Sequence, residues 1–161
     1  MPALRLRADA PTPAPTPVPT WLQVWRRATV TQVSARFLNR HPTARQLVLG
    51  LALRVELPPG RQPWLLLAED LLTRLPAPDA TALLRWVGEH APAGSLLLAD
   101  AAGARWPVAA PWQLPDVPAL CAPHPRLRVD EVHRLPGWRA TAWALLGGVP
   151  PWALYEIGVD A

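Results

Sequence analysis

Two charged residues stand where the sequence should be apolar. In "PWALYEIGVD" at 151–160, Trp152, Leu154 and Glu156 fall on one face of a strand, with Ala153, Tyr155 and Ile157 on the other. A carboxyl among apolar neighbours is desolvated, which favours its protonated form and suits it to donate a proton. The second residue is Arg54. In "QLVLGLALRVELPPG" at 46–60, Leu47, Leu49, Leu51, Leu53, Val55 and Leu57 make one apolar face. The opposite face reads Val48, Gly50, Ala52, Arg54 and Glu56, small residues followed by charge. Small side chains leave room for a ligand against a sheet, and a guanidinium at the edge of that room fits a carboxylate through two parallel hydrogen bonds. An acid and a carboxylate-binding cation are the tools of proton-assisted chemistry on a small anion.

The other reactive side chains form no comparable pattern. Cys121 is the only cysteine, so it has neither a disulfide partner in the chain nor a metal-ligand spacing. His41 and His124 adjoin prolines, and His90 ends a helical stretch where its charge suits the dipole. His133 lies in a strand near Asp130 and Glu131, but no H-x-H or H-E-x-x-H spacing accompanies it, so no metal is expected. Gly147-Gly148 reads as a turn. Trp64 and Trp152 are the tryptophans best placed to present a ring face to a ligand.

Charge narrows the partners. All 16 basic residues are arginine, and the net charge of +4 suits an anionic ligand. Arg26-Arg27 is the only adjacent pair, and the scattered remainder makes no docking stripe for nucleic acid. No apolar run approaches the ~20 residues that span a bilayer. The N-terminal arginines precede proline-rich sequence rather than an apolar stretch, so no secretory signal and a cytoplasmic location are expected.

These residues must be held by a fold, and 161 residues suffice for one domain with its own core. Residues 1–19 alternate proline with small residues and read as a disordered tail, leaving 20–161 as the folded unit. From Thr20, "TWLQVWRRATVTQVSARFLNRH" has helical spacing, as one helix or as two with a break near the β-branched residues at 28–31. The run 46–72 reads as a hairpin around Pro58-Pro59-Gly60. A helix opened by Asp79 follows, with Ala80, Leu83, Leu84 and Val87 buried. Residues 101–125 read as a long loop or lid. "RLRVDEVHRL", "GWRATAWALLGG" and "PWALYEIGVD" read as three strands of an antiparallel meander. The predicted class is α+β: a single domain with an antiparallel sheet of about five strands and helices packed on it.

Several short motifs, in order, resemble the chorismate lyase (chorismate pyruvate-lyase) family, which is related in fold to the ligand-sensing domains of bacterial repressors. They are "TVT" at 29–31, "LRVE" at 53–56, "PW" at 63–64, "PAG" at 92–94 and "WRATAWALLGGVPPWALYE" at 138–156. The resemblance covers Thr20 to Glu156 and implies a chorismate lyase-like fold. It implies Glu156 as the acid at the ether oxygen and Arg54 as the carboxylate-binding arginine. Val30 and Ala93 take the positions whose backbone N–H groups hold carboxylate oxygens. Ala68 stands where the family has a second arginine, with Glu69 and Asp70 beside it. The implied reaction cleaves the enolpyruvyl ether of chorismate to 4-hydroxybenzoate, or a related hydroxybenzoate, and pyruvate. Aromatisation drives it, so no cofactor is called for. The alternative is a non-catalytic sensing domain of the same fold that binds an anionic metabolite.

Overall fold

A computed structural model describes residues 20–50, 60–103, 112–135 and 152–161. In chain order the elements are α1 (Thr20–Arg40), β1 (Arg45–Val48), β2 (Trp64–Ala68), α2 (Ala77–His90), β3 (Leu96–Ala102), a turn of 3₁₀ helix at Val117–Leu120, β4 (Leu127–Arg134) and β5 (Trp152–Val159). The tail at 1–19 lies outside the described residues.

The five strands form one mixed sheet in the order β1-β2-β3-β5-β4. β1, β2 and β3 are mutually parallel, and β5 runs antiparallel to both β3 and β4. The α+β class holds, but the expected wholly antiparallel sheet is corrected. The physical cause is burial on both sides: α1 covers one face and α2 the other. "WLLLA" in β2 and "LLLADAA" in β3 are buried at every position. Uninterrupted apolar runs of this kind belong to parallel strands flanked by helices, whereas a half-wet antiparallel strand alternates.

Each face has its own core. On the α2 side, Leu66, Leu97, Ala99, Ala153, Tyr155 and Ile157 pack with Leu83, Leu84 and Val87. On the α1 side, Leu65, Leu67, Leu96, Leu98 and Leu154 pack with Val30, Val33 and Phe37. Each fully buried leucine contributes about 1.5–3 kcal/mol relative to exposure.

Three further expectations are corrected. The hairpin around Pro58-Pro59-Gly60 does not form between the strands expected to pair: Arg45 to Val48 run parallel to Trp64 to Leu67, and residues 51–59 lie outside the described set. The meander is also absent, because β4 is hydrogen-bonded directly to β5 with no strand between them. The middle of that reading, residues 136–151, is not described. The expected lid is partly ordered structure: β3 runs to Ala102, Leu114 N–H bonds the Ala102 carbonyl at 2.8 Å, and Asp116 caps the 3₁₀ turn through Ala119 N–H.

The helices are settled locally. α1 is continuous through residues 28–31, where the Thr29 hydroxyl bonds the Trp25 carbonyl one turn back, at 2.9 Å. α2 begins at Ala77 rather than at Asp79, with Pro76 before it; Asp79 sits in the first turn, where a carboxylate suits the dipole. Ala80, Leu83, Leu84 and Val87 are its buried residues, together with Trp86 and Gly88. No described helix is long and apolar enough to cross a membrane.

Candidate functional site

Glu156 lies on the α1 face of β5, after Trp152 and Leu154, and its side chain is only 9% exposed. Burying a charge without a partner costs several kcal/mol, so the neighbours decide its state. Arg36, from the C-terminal half of α1, donates from Nη2 to Glu156 Oε1 at 2.5 Å and to Glu131 Oε2 at 3.1 Å. His133 Nε2 lies 2.6 Å from the same Glu156 Oε1. In this contact Nε2 donates to an ionised Glu156 and accepts from a protonated one. The Glu156 carboxylate holds the Arg36 guanidinium above its ordinary range, against the opposing pull of burial. Burial pushes the Glu131 carboxyl up, but the His133 charge and the Arg36 hydrogen bond outweigh it and leave that carboxyl below its usual range.

A β-bulge assembles the cluster. Val129 pairs with Ile157 and Glu131 pairs with Glu156, so β4 has one residue more than β5 between those pairs. The extra residue brings Glu131 onto the side of Glu156, with His133 following opposite Leu154. Without it, alternation would turn Glu131 toward α2. Val129 and Val132 accordingly pack against the α2-side core.

Arg36 and Glu156, but not Glu131 or His133, line a pocket of about 290 Å³ between α1 and the sheet, together with Val33, Arg40, Ser95 and Arg128. Gly158 keeps its floor low: a Cβ there would stand 2.4 Å from Asp130 Oδ2. Arg36 pairs with Glu131 and Glu156, while Arg128 pairs with Asp130 and Asp160. Arg40 also lines the pocket and has no ion pair among the described residues. An uncompensated guanidinium beside a buried acid is an environment that attracts a small anion.

A second polar group sits at the carboxyl ends of the parallel strands. Asp100 in β3 is fully buried and accepts from Arg26 Nη1 at 3.1 Å, Asp70 N–H at 2.5 Å and Trp152 Nε1 at 3.2 Å. Burial pushes its carboxyl up to about 6, although Arg26 and the Asp70 N–H pull it down. Asp70 has φ 55°, a left-handed conformation uncommon outside glycine, and its carboxylate binds Thr73 and Arg74. Gly50, Glu69, Asp70, Leu71 and Arg74 line a recess there of about 220 Å³.

The residues singled out in the sequence are only partly gathered. Arg54 lies outside the described residues. Val30 is buried in the middle of α1, where the helix itself takes up backbone N–H groups. Ala93 is exposed in the turn before β3, next to Gly94, whose φ of 80° a side chain would resist. Trp64 and Trp152 are both buried, but on opposite faces: Trp64 packs with Trp86 on the α2 side, and Trp152 meets Trp25 edge-on on the α1 side. They cannot line one pocket. Sequence reasoning missed Arg36, Glu131 and His133 as companions of Glu156. The signal for the last two was the pairing of β4 with β5, which no local spacing carries.

No protein-family model matches the sequence, and no curated protein matches it.

Proposed function

We propose that this chain is an enzyme acting on a small carboxylate-bearing molecule in the pocket between α1 and the β3-β5-β4 half of the sheet. The observation that supports it is Glu156, nine-tenths buried at that pocket and bonded by Arg36 and His133. Glu156 and His133 form the acid–base pair, their Oε1 and Nε2 standing 2.6 Å apart, within reach of proton transfer. Arg40 offers a free guanidinium to a ligand carboxylate. In the form that the chorismate lyase resemblance names, protonated Glu156 gives its proton to the ether oxygen as the ring carbon–oxygen bond breaks. The ring then loses a proton to the carboxylate as it becomes aromatic, and the released enol tautomerises to pyruvate. The test is incubation with chorismate while pyruvate and hydroxybenzoate are both measured, for the wild type and Glu156→Gln. Both products appear together, and the variant keeps its fold but loses about 10²–10⁴-fold in turnover. Binding without turnover would assign the pocket to a non-catalytic sensing module; neither binding nor turnover would remove chorismate altogether.

The parallel half of the sheet favours a second reading. In open α/β sheets, ligands bind outside the carboxyl ends of parallel strands, where such carboxylates accept hydrogen bonds from sugar hydroxyls. Here that rim carries Gly50, Glu69, Asp70 and Arg74. A ribose-bearing ligand that raises the melting temperature of the wild type but not of Glu69→Gln would place the ligand at this rim instead.

A further inference from the structure

The Glu131, His133 and Glu156 cluster has a composition that acid–base chemistry alone does not require. One ligand atom from each of the three lies within 4.8 Å of the others. Two carboxylates and an imidazole are the donors of zinc-class and other transition-metal sites. They come from adjacent strands of a sheet, which fixes their backbones, and the bulge in β4 is what turns Glu131 toward the other two.

A cation already bridges the two carboxylates. Arg36 Nη2 touches Glu156 Oε1 and Glu131 Oε2, and it reaches them on a side chain that is 44% exposed. Two carboxylates share this one guanidinium; a divalent ion in its place would match both carboxylate charges and gain the imidazole as a third donor.

We propose that Glu131 Oε2, His133 Nε2 and Glu156 Oε1 form a three-ligand site for a divalent transition metal, with Arg36 as the exchangeable cation that holds its place. Donors of a tetrahedral ion stand about 3.4 Å apart when each bond is about 2.1 Å. His133 Nε2 now lies 2.6 Å from Glu156 Oε1 and 3.9 Å from Glu131 Oε2, and the two carboxylate donors lie within 4.8 Å of each other, so side-chain shifts of about 1 Å bring the set toward that geometry. Glu156 and Arg36 line the pocket, which gives an ion access to the Glu156 side of the cluster. The departing guanidinium swings into the same pocket, where it joins Arg40. Metal and proton donation compete for the same Glu156 oxygen, so the ion acts as an off-switch for the acid role.

This inference shares Glu156 with the pocket reading above, and its test therefore uses no organic ligand. The full chain is titrated with Zn²⁺ by calorimetry and with Co²⁺ by visible absorption. One equivalent binds saturably, and Co²⁺ develops the intense bands of a tetrahedral ion. Glu131→Gln and His133→Ala weaken binding by about 100-fold or more, at or beyond the upper end for loss of an outer-shell partner. Glu131 is half exposed, so its variant keeps the fold if His133→Ala does not. Arg36→Ala tightens binding by about two- to fivefold, the worth of the half-exposed Arg36–Glu131 pair removed from competition. Three results overturn the proposal: no saturable uptake, uptake unchanged in folded Glu131→Gln, or weaker binding in Arg36→Ala. Absence of chorismate turnover bears on the pocket reading and leaves the metal site standing.

Discussion

Replacing Asp100 with asparagine tests the most deeply buried carboxyl among the described residues. Its carboxyl, fully buried in β3, sits at about 6 against an ordinary 3.8, chiefly through burial and despite Arg26 and the Asp70 N–H. The folded carboxyl thus binds a proton more readily than the unfolded one. Above pH 6 the ionised group opposes folding; as the pH falls from 6 toward 4 the folded state takes up the proton first and gains stability. Below the unfolded value the gain is complete. A shift of about 2 units corresponds to about 3 kcal/mol, taking about 1.4 kcal/mol per unit. Asparagine keeps the shape and one acceptor oxygen, enough for Asp70 N–H but not also for Trp152 Nε1 and Arg26 Nη1, which bond the other carboxylate oxygen; this adds an offset at every pH, while the amide does not titrate. Urea unfolding of both proteins at about pH 7.5 and about pH 4 gives the difference in stability at each. By pH 4, just above the unfolded value, the wild type should have gained about 2 kcal/mol on the variant, most of the full amount. A flat difference, or a wild type that loses ground to the variant, would show that Arg26 and the Asp70 N–H outweigh burial and would refute the reasoning.

Gly88→Ala in α2 should destabilise by about 1–3 kcal/mol in chemical unfolding, because the new Cβ meets His124 Cγ at 2.3 Å. Helix propensity alone predicts a gain of about 1 kcal/mol, so the sign of the result decides between them. Leu154→Ala, at a fully buried position between β5 and α1, should cost about 2–5 kcal/mol, and a loss under about 1 kcal/mol would mean the α1 face is not packed as described. Arg40→Ala should leave stability within about 0.5 kcal/mol of the wild type while weakening binding of a carboxylate-bearing ligand, measured by calorimetry. Unchanged affinity would place the anion elsewhere.

The sequence carried some of this structure openly. α2 was legible because Ala80, Leu83, Leu84 and Val87 recur at helical spacing, and all four are buried. β5 was legible through its alternation, and Leu154 and Tyr155 do point to opposite cores. Pairing was not legible. Pro58-Pro59-Gly60 invites a hairpin, yet the direction of β1 against β2 is set by which faces the helices cover, a fact spread over the chain. The uninterrupted Leu65 to Leu67 and Leu96 to Leu98 were the available hint, since a strand with one wet face has no reason to be apolar throughout. At the candidate site, Glu156 stood out by its apolar neighbours. Its partner Arg36 lies 120 positions away and His133 lies 23 away, and Glu131 joins them only through a bulge that alternation cannot anticipate.

The strand order has a kinetic meaning. β5 follows β4 in the chain, yet it occupies the slot between β3 and β4, so neither of those strands has its inner edge satisfied until β5 arrives. Among the described residues, every ladder bond that β4 makes waits on that insertion. Assembly through such late, distant pairings is slow compared with local helix formation. Meanwhile the open flank of β3, apolar on both sides, is a template for any unpaired strand. At high concentration the β5 of a second copy fits the slot as well as the chain's own, which makes strand exchange between copies the characteristic misfolding route of this sheet.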